Sequence, residues 1–223
     1  MPQTFDPIRG DLSFQADFSK PEFGLYRDLP RLNAAAFEIL NVYGLGANDI
    51  VHDFAGGNFG KANTQYYLPN RATLGLYFDR FTVTVPDITT AESHLADIVG
   101  HAFTLVGGAV SAIAYKTFQL RLNLHGPLLG TTSAEFLLRF LATPPGVELP
   151  PLSGCGFALY ALPTETQLSS TITLDVSAAI ADGLYVNYVT ICDATKVLPT
   201  NVWPFLVGVF KRALSEVGIV RKE

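Results

Sequence analysis

The residues with the richest chemistry in this sequence are polar side chains that alternate along residues 110–125. From residue 115 onward, nearly every second position carries a group that donates or accepts hydrogen bonds. Arginine and tyrosine dominate the energetics of protein recognition, and histidine adds a titratable ring. The set therefore predicts a recognition surface, the alternative being a strand face that solvent or a covering helix satisfies. The predicted binding residues are Tyr115, Gln119, Arg121, Asn123 and His125.

A glycine-containing stretch at residues 56–62 invites comparison with a phosphate-binding loop. That loop needs a glycine five residues before its Gly-Lys pair and a Ser or Thr directly after it. Here Gly60 and Lys61 form the pair, but Ala55 and Ala62 occupy the two required positions. The stretch is therefore interpreted as a surface loop, and the sequence predicts no nucleotide or other cofactor.

The four histidines provide no motif for a metal or a nucleophile. His94 and His101 are seven residues apart on one predicted helix, whereas helical metal ligands are usually three or four apart. The sequence predicts no metal site and no catalytic residue. A dispersed site built from His52, His94, His101 or His125 stays open, because such groups meet only in space.

The composition indicates that this chain hides more surface than an ordinary monomer does. Hydrophobic residues make up 48% and charged residues 16%, and the mean hydropathy is +0.27. The one candidate membrane span, residues 98–115, contains His101 and Thr104 and changes its period at Gly107-Gly108. A bilayer helix needs about 20 mostly apolar residues without such a switch. We therefore expect no membrane span, and burial against a protein partner or against other copies of the chain.

The net charge and the two cysteines limit which partners and which cellular compartment fit this chain. A net charge of −5 and a pI near 5.3 argue against a nucleic-acid partner, which needs a basic surface. Cys155 and Cys192 are too few for a disulfide framework or a zinc site, and both are expected to be buried reduced thiols. The first residues lack the basic start and apolar run of a signal peptide. Together these features predict a cytoplasmic protein.

The hydrophobic periods predict the elements that position these residues. Helices are expected at 30–42, 89–106 and 201–217, the second opened by a Thr89–Glu92 capping box and stopped by Gly107-Gly108. The long strand 110–125 lies in mid-chain, followed by a second capping box at Thr132 and Glu135. Further strands are expected near 155–162, 168–178 and 183–192, after a proline-rich linker near 143–153.

These elements predict the α+β class, with a curved antiparallel sheet and amphipathic helices packed on one face. Residues 1–70 are interpreted as an N-terminal helix and loop region packed on the main domain, residues 71–223. The order of helices and strands before and after the linker suggests two similar halves.

One segment carries a family resemblance. The string from Phe118 to Pro127 resembles the "apolar-Arg-aromatic-x-Asn-x-x-x-Pro" segment of a sporadically distributed family of uncharacterised bacterial proteins. The likeness extends over the C-terminal two-thirds, roughly residues 72–220, in the order of helices and strands. Leu122 stands where the family has an aromatic residue, and the N-terminal third departs from the family. The resemblance implies no activity, and it singles out Arg121 and Asn123 for testing.

Three functions follow as hypotheses. The first is a non-catalytic binding or assembly protein, acting as a homo-oligomer or as a subunit of a larger bacterial complex. The second is an enzyme with a dispersed histidine-containing site of the hydrolase kind. The third is a carrier that holds a small apolar ligand between the sheet and its helices.

Overall fold

A computed structural model of the chain describes residues 2–54, 61–69, 71–88, 94–110, 112–141 and 155–222. Its helices are α1 (Leu29–Leu40), α2 (Leu95–Ala109), α3 (Ser133–Leu138) and α4 (Val202–Glu216). Its strands are β1 (Gln3–Phe5), β2 (Arg9–Phe18), β3 (Ile50–Asp53), β4 (Asn63–Tyr67), β5 (Thr73–Tyr77), β6 (Arg80–Val85), β7 (Tyr115–Gly126), β8 (Leu128–Leu129), β9 (Phe157–Ala161), β10 (Gln167–Val176), β11 (Leu184–Asp193) and β12 (Ile219–Arg221).

Most of these strands form one large antiparallel sheet. Within the described residues it has nine strands in the order β3-β4-β5-β6-β2-β7-β11-β10-β9, and it stays open because its two outer strands do not pair. A smaller mixed sheet holds β1 between β12, which is parallel to it, and β8, which is antiparallel. The predicted α+β class with an antiparallel sheet is confirmed.

The hydrophobic core lies on one face of the large sheet. Alternate residues of β2, from Leu12 to Phe18, are buried there, and so are those of β7 from Phe118 to Leu124. The buried faces of the helices join the same cluster, so one core spans the sheet. The ring of Phe103 on α2 lies 6.0 Å from Phe14, which shows how directly helix and sheet pack. The opposite face of the central strands carries mostly polar residues, with Val189 and Ile191 of β11 as apolar exceptions.

The two halves of the sheet share one topology. In the first, the long strand β2 is followed by α1, a meander of strands ending in β6, and the long helix α2. In the second, β7 is followed by α3, the meander β9-β10-β11, and the long helix α4. In each half the last strand of the meander pairs with the first long strand, and the two long strands pair with each other at the centre.

Two local predictions differ from the structure around residues 107–115. Helix α2 continues through Gly107 and Gly108 to Ala109, and the long strand begins at Tyr115 instead of residue 110. A glycine ends a helix by adopting a positive φ, and neither Gly107 nor Gly108 does so, which is why the helix continues through both. Helix and strand are therefore separate elements within residues 98–115, because α2 ends at Ala109 and β7 begins at Tyr115. No helix in the described part of the chain is long and apolar enough to cross a membrane.

The first seventy residues contribute more sheet than the sequence predicted. Strand β2 is the central strand of the large sheet, and β3 and β4 form one edge of it. The expected boundary at residues 70/71 falls between β4 and β5, which pair directly. The alternation in β2 is evident in the sequence, but its central place depends on pairing with β7, more than a hundred residues later.

The second half follows the sequence prediction closely. Strands β9, β10 and β11 pair as consecutive antiparallel neighbours, as their short connections predicted. At the start of α3, the Thr132 hydroxyl accepts a hydrogen bond from the Glu135 backbone nitrogen at 3.2 Å, and the Glu135 carboxylate accepts one from the Thr132 nitrogen. The bond from the Thr132 nitrogen to this carboxylate, together with one from the Thr131 hydroxyl, holds the pKa of Glu135 below its ordinary value. The Thr89–Glu92 pair, the linker near 143–153 and the glycines at 56–60 lie outside the described residues.

Candidate functional site

The uncovered face of the sheet carries a hydrogen-bonded network centred on Asn123. We call this network, together with the neighbouring outward-pointing side chains of β2, β7 and β11, the polar face. The Asn123 amide nitrogen donates to the Asp11 carboxylate at 2.7 Å. The Asn123 amide oxygen accepts from the Tyr185 hydroxyl at 3.0 Å and from the Asn187 amide at 2.5 Å. These bonds use both ends of the amide, so its orientation is fixed by three strands.

Arg121 and Gln119 lie beside this network and border a shallow depression of about 260 Å³. Asp11, Ser13 and Gln15 of β2 form its other side. The Arg121 side chain is exposed, and within the described residues it forms no salt bridge or side-chain hydrogen bond. The depression therefore offers a cation, a carboxylate and several neutral donors and acceptors to a molecule that approaches the sheet.

His125 belongs to the same face but is already engaged within the protein. Its Nδ1 lies 2.9 Å from the Ser177 hydroxyl, and its ring stacks on Tyr185 with 4.7 Å between centroids. Burial and the nearby Arg9 guanidinium lower the pKa of His125, with Asp11 opposing them. The ring is therefore biased towards its neutral form, in which one nitrogen donates and the other accepts.

Tyr115, the fifth predicted binding residue, lies apart from the other four. The pairing of β2 with β7 is irregular between Asp17 and Phe18, so Phe18 pairs with Tyr115 instead of residue 116. The Tyr115 ring consequently packs among aromatic core residues, 5.2 Å from Phe103 and 5.6 Å from Phe118. Burial raises its pKa to about 12. Strict alternation could not show this, because an irregularity of this kind reverses the phase of the side chains beyond it.

The other three histidines lie at two separate places in the fold. His52 of β3 is within hydrogen-bonding distance of Thr64, at 2.9 Å, and of Asn33 of α1, at 3.2 Å. His94 and His101 both contact the ring of Tyr43, each at 5.8 Å between centroids. The part of the chain that the structure describes contains no group of three His, Cys, Asp or Glu residues arranged to hold a metal.

The two cysteines are both free, but they differ in burial. Cys192 on β11 is fully buried, and burial raises the pKa of its thiol to about 11. Cys155 is half-buried. Because the thiolate is the reactive form, Cys192 is an inert packing residue at neutral pH.

A groove of about 850 Å³, partly open to solvent, lies between the sheet and α4. Leucines of β2 and β7 form its floor, and Phe210, Leu214 and Trp203 of α4 line it from the other side. Nothing in the local sequence pattern revealed it. Each lining residue is simply apolar in its own segment, and the void arises only where four segments meet.

The outer strand β9 presents an apolar edge. All residues of β9 except Phe157 are exposed, and Tyr160 retains 78% of its accessible surface. Leu162, just beyond the strand, is 85% exposed. No strand in the described ranges pairs with the outer side of β9. Such an edge has unpaired backbone donors and acceptors and can extend a sheet into a neighbouring molecule.

Comparisons with known proteins do not identify a family. No family model matches the chain, and no curated protein matches it either. The resemblance of residues 118–127 to the bacterial family therefore stays a prediction.

Proposed function

We propose that this protein is a non-catalytic binding protein that assembles from copies of itself through strand β9 and presents its polar face to a protein partner. The observation that carries the proposal is the exposed, uncharged edge of β9. From Gly156 to Thr164 the chain contains no charged side chain. Natural edge strands are usually protected by lysines, prolines or bulges, and residues 157–161 contain neither lysine nor proline.

A second copy is the occupant that fits this edge best. Antiparallel pairing about a two-fold axis brings the same strand together with itself, and like charges facing each other would oppose it. Without charges, β9 meets no such repulsion, and the exposed Leu159, Tyr160 and Leu162 gain apolar contacts. Pairing centred on Leu159, the middle residue of the strand, would extend the large sheet across the dimer. The low charge content of the chain supports the same conclusion.

The polar face provides the second contact in this proposal. Gln119 and Arg121 border the depression, while Asn123 and His125 are held in place by neighbouring strands. A preorganised surface loses less conformational entropy on binding than a mobile one. We propose the cytoplasm of a bacterium as the setting, which the two free thiols and the resemblance of residues 118–127 support.

The decisive experiment measures the mass of the protein in solution. Sedimentation velocity of the wild type is expected to give a dimer. Tyr160→Lys is expected to give a monomer, because pairing centred on Leu159 places the two introduced lysines diagonally across the axis on the same face of the sheet, where their like charges repel. Val42→Lys is the matched control: Val42 is 73% exposed but lies at the end of α1, away from β9. It should leave the dimer intact.

A wild-type protein that sediments as a monomer at every concentration tested would refute the self-assembly. A Tyr160→Lys dimer as stable as the wild type would refute the assignment to β9. Cross-linking gives the register: a Leu159→Cys variant in a Cys155→Ser background should form a disulfide between copies under mild oxidation.

A further inference from the structure

Arg121 is the cation of the depression on the polar face, and the protein does not use its charge internally. Its side chain is exposed, and throughout the described segments it makes no ion pair and no side-chain hydrogen bond. The carboxylate of the same depression, Asp11, accepts a hydrogen bond from the Asn123 amide at 2.7 Å instead. The guanidinium therefore keeps its N–H donors for a molecule that approaches from solvent.

The second carboxylate of β2 on this face is also engaged. Asp17 accepts hydrogen bonds from the Gln15 amide at 2.7 Å and from the Thr117 hydroxyl at 2.5 Å, and it does not line the depression. Both carboxylates of β2 are thus held by neutral donors of the protein, whereas the guanidinium is not. A guanidinium binds a carboxylate through two parallel hydrogen bonds, so a carboxylate is the group that complements the site.

An apolar strip lies beside this cation on the same face of the sheet. Val189 of β11 pairs directly with Arg121, and Ile191 pairs directly with Gln119. Both apolar side chains are half-buried, on a face that is otherwise mostly polar. Because neighbouring strands are about 4.8 Å apart, the strip begins about 5 Å from the strand that carries the cation. A ligand that satisfies both therefore carries a hydrocarbon side chain close to its carboxylate.

The length of the depression corresponds to a short piece of extended peptide. From Gln119 to Asn123 it follows β7 for about 13 Å, at about 3.3 Å per residue. Arg121 lies in the middle of this length, so about 7 Å remains on either side, enough for two extended residues. Within the described chain, Ser13 and Gln119 form no side-chain hydrogen bond to another residue, and they offer the donors and acceptors that a peptide backbone needs.

We infer that the depression binds the C-terminal end of a partner protein, with the terminal carboxylate on Arg121 and an aliphatic last side chain on Val189 and Ile191. The inference rests on the proposed contact of the polar face with a protein partner, and it names the part of the partner that is bound. Capture of a C-terminal carboxylate is a recurring mode of peptide recognition. A C-terminal residue fits better than an internal acidic residue, because its carboxylate and its side chain share one Cα and lie close together.

The probe is the peptide acetyl-Ala-Ala-Leu with an unblocked terminal carboxylate, followed by two-dimensional NMR of isotope-labelled protein. The Nε–H signal of Arg121 and the methyl signals of Val189 and Ile191 should shift together and saturate with peptide concentration. The methyl signals of Leu159 on β9 serve as the internal control and should not shift. If the signals of Arg121, Val189 and Ile191 stay in place at millimolar peptide, the inference is wrong.

Three matched peptides separate the contributions of charge, side chain and chain end. The same peptide with a terminal amide should bind about five-fold more weakly, because an exposed charged pair is lost. Acetyl-Ala-Ala-Gly keeps the carboxylate and should also bind more weakly, because the apolar contact is lost. Acetyl-Ala-Glu-Leu-amide carries its carboxylate on a side chain and should bind no better than the plain amide. Equal affinity of acid and amide, or tighter binding of the glutamate peptide than of the acid, would overturn the inference.

Variants of Arg121 test the location of the carboxylate. Arg121→Gln should abolish the preference for the acid over the amide, and Arg121→Lys should restore part of it, because lysine keeps the charge without the planar pair of donors. Arg9→Gln is the matched control: Arg9 is exposed on the same face and pairs with His125, but it does not line the depression. A folded Arg121→Gln protein that keeps the preference would refute the site.

Two further variants test the apolar contact and the independence from self-assembly. Val189→Thr replaces a methyl group by a hydroxyl and should reduce the preference for a leucine end over a glycine end; an unchanged preference would refute the role of the strip. Tyr160→Lys should bind the peptide as the wild type does, since β11 and β10 lie between β7 and β9. Peptide binding without a wild-type dimer would refute only the assembly through β9, and a dimer without peptide binding would refute only this inference.

Discussion

The amide nitrogen of Asn123 donates a hydrogen bond of 2.7 Å to the carboxylate of Asp11, and this bond joins the two halves of the sheet. Asp11 lies on β2 of the first half and Asn123 on β7 of the second, directly paired in the register. Because Asn123 also accepts bonds from Tyr185 and Asn187, one side chain connects three central strands.

Replacing Asn123 by alanine should lower the free energy of unfolding by about 1–3 kcal/mol, since its partners lose bonds that water replaces only in part. Urea denaturation followed by circular dichroism measures the change. Gln119→Ala is the control on the same strand and face, where the described residues provide no side-chain hydrogen bond, and should stay within about 0.5 kcal/mol of the wild type. Equal midpoints for Asn123→Ala and the wild type would show that the network does not stabilise the fold.

His125 should make stability depend on pH. Its pKa is lowered in the folded protein, mainly by burial, while the unfolded chain has the ordinary value of about 6.5. Between these two values the unfolded chain binds more protons, so the free energy of unfolding rises with pH in that window. The contribution is complete above about pH 6.5 and is lost as the pH falls towards the folded pKa.

Denaturation of the wild type and of His125→Gln at a series of pH values below 7 isolates this effect as the difference between two curves. The variant should lose less stability on acidification. A difference between the two curves that does not change with pH would contradict the assignment to His125.

Gly126 is required where β7 passes the segment between β1 and β2. A Cβ at this position would meet the carbonyl oxygen of Asp6 and would lie 2.8 Å from the Cα of Pro7, and both are backbone atoms that cannot turn aside. Gly126→Ala should therefore cost about 1–3 kcal/mol or more. Gly108→Ala, on the open side of α2, should instead stabilise the protein by up to about 1 kcal/mol. Thermal unfolding of both variants tests the contrast, and two changes of the same sign would contradict it.

Thiol reactivity should separate the two cysteines. A disulfide reagent such as Ellman's reagent should modify Cys155 first, because the Cys192 thiol is fully buried and its pKa is raised to about 11. Cys155→Ser should then show no fast reaction, and both thiols of the wild type should react in denaturant. Rapid modification of Cys192 in the folded protein would show that β11 opens readily.

Structural features that depend on neighbouring residues can be predicted from the sequence, whereas features that depend on distant residues cannot. The alternation from Phe118 to Leu124 is a local property, and the strand lies as expected with its leucines in the core. Tyr115 continues the same spacing but lies on the aromatic side, because of an irregularity in its pairing with β2. Nothing local to Tyr115 encodes that irregularity.

The candidate sites follow the same rule. Asn123 was predicted as a recognition residue from its own strand, but its three partners come from β2 and β11, whose position beside β7 is a matter of topology. The sequence of β9 predicts a strand without telling that it is the outermost one. A space for an apolar ligand between the sheet and its helices was one of the three hypotheses, but its place beneath α4 was not predicted. Leu12 and Trp203 are almost two hundred residues apart, and each is simply apolar in its own segment.

The pairing of β2 with β7 has a consequence for how the protein is made. Strand β2 leaves the ribosome early, but it can pair with β7 only after the chain has been synthesised as far as Gly126. Until then, the side of β2 that pairs with β7 has no partner strand. Contacts of such large sequence separation form slowly, and an unpaired strand is prone to aggregate. A nascent chain arrested before residue 115 would expose the edge of β2 that later pairs with β7. Such a chain should therefore depend on chaperones more than the full-length protein does.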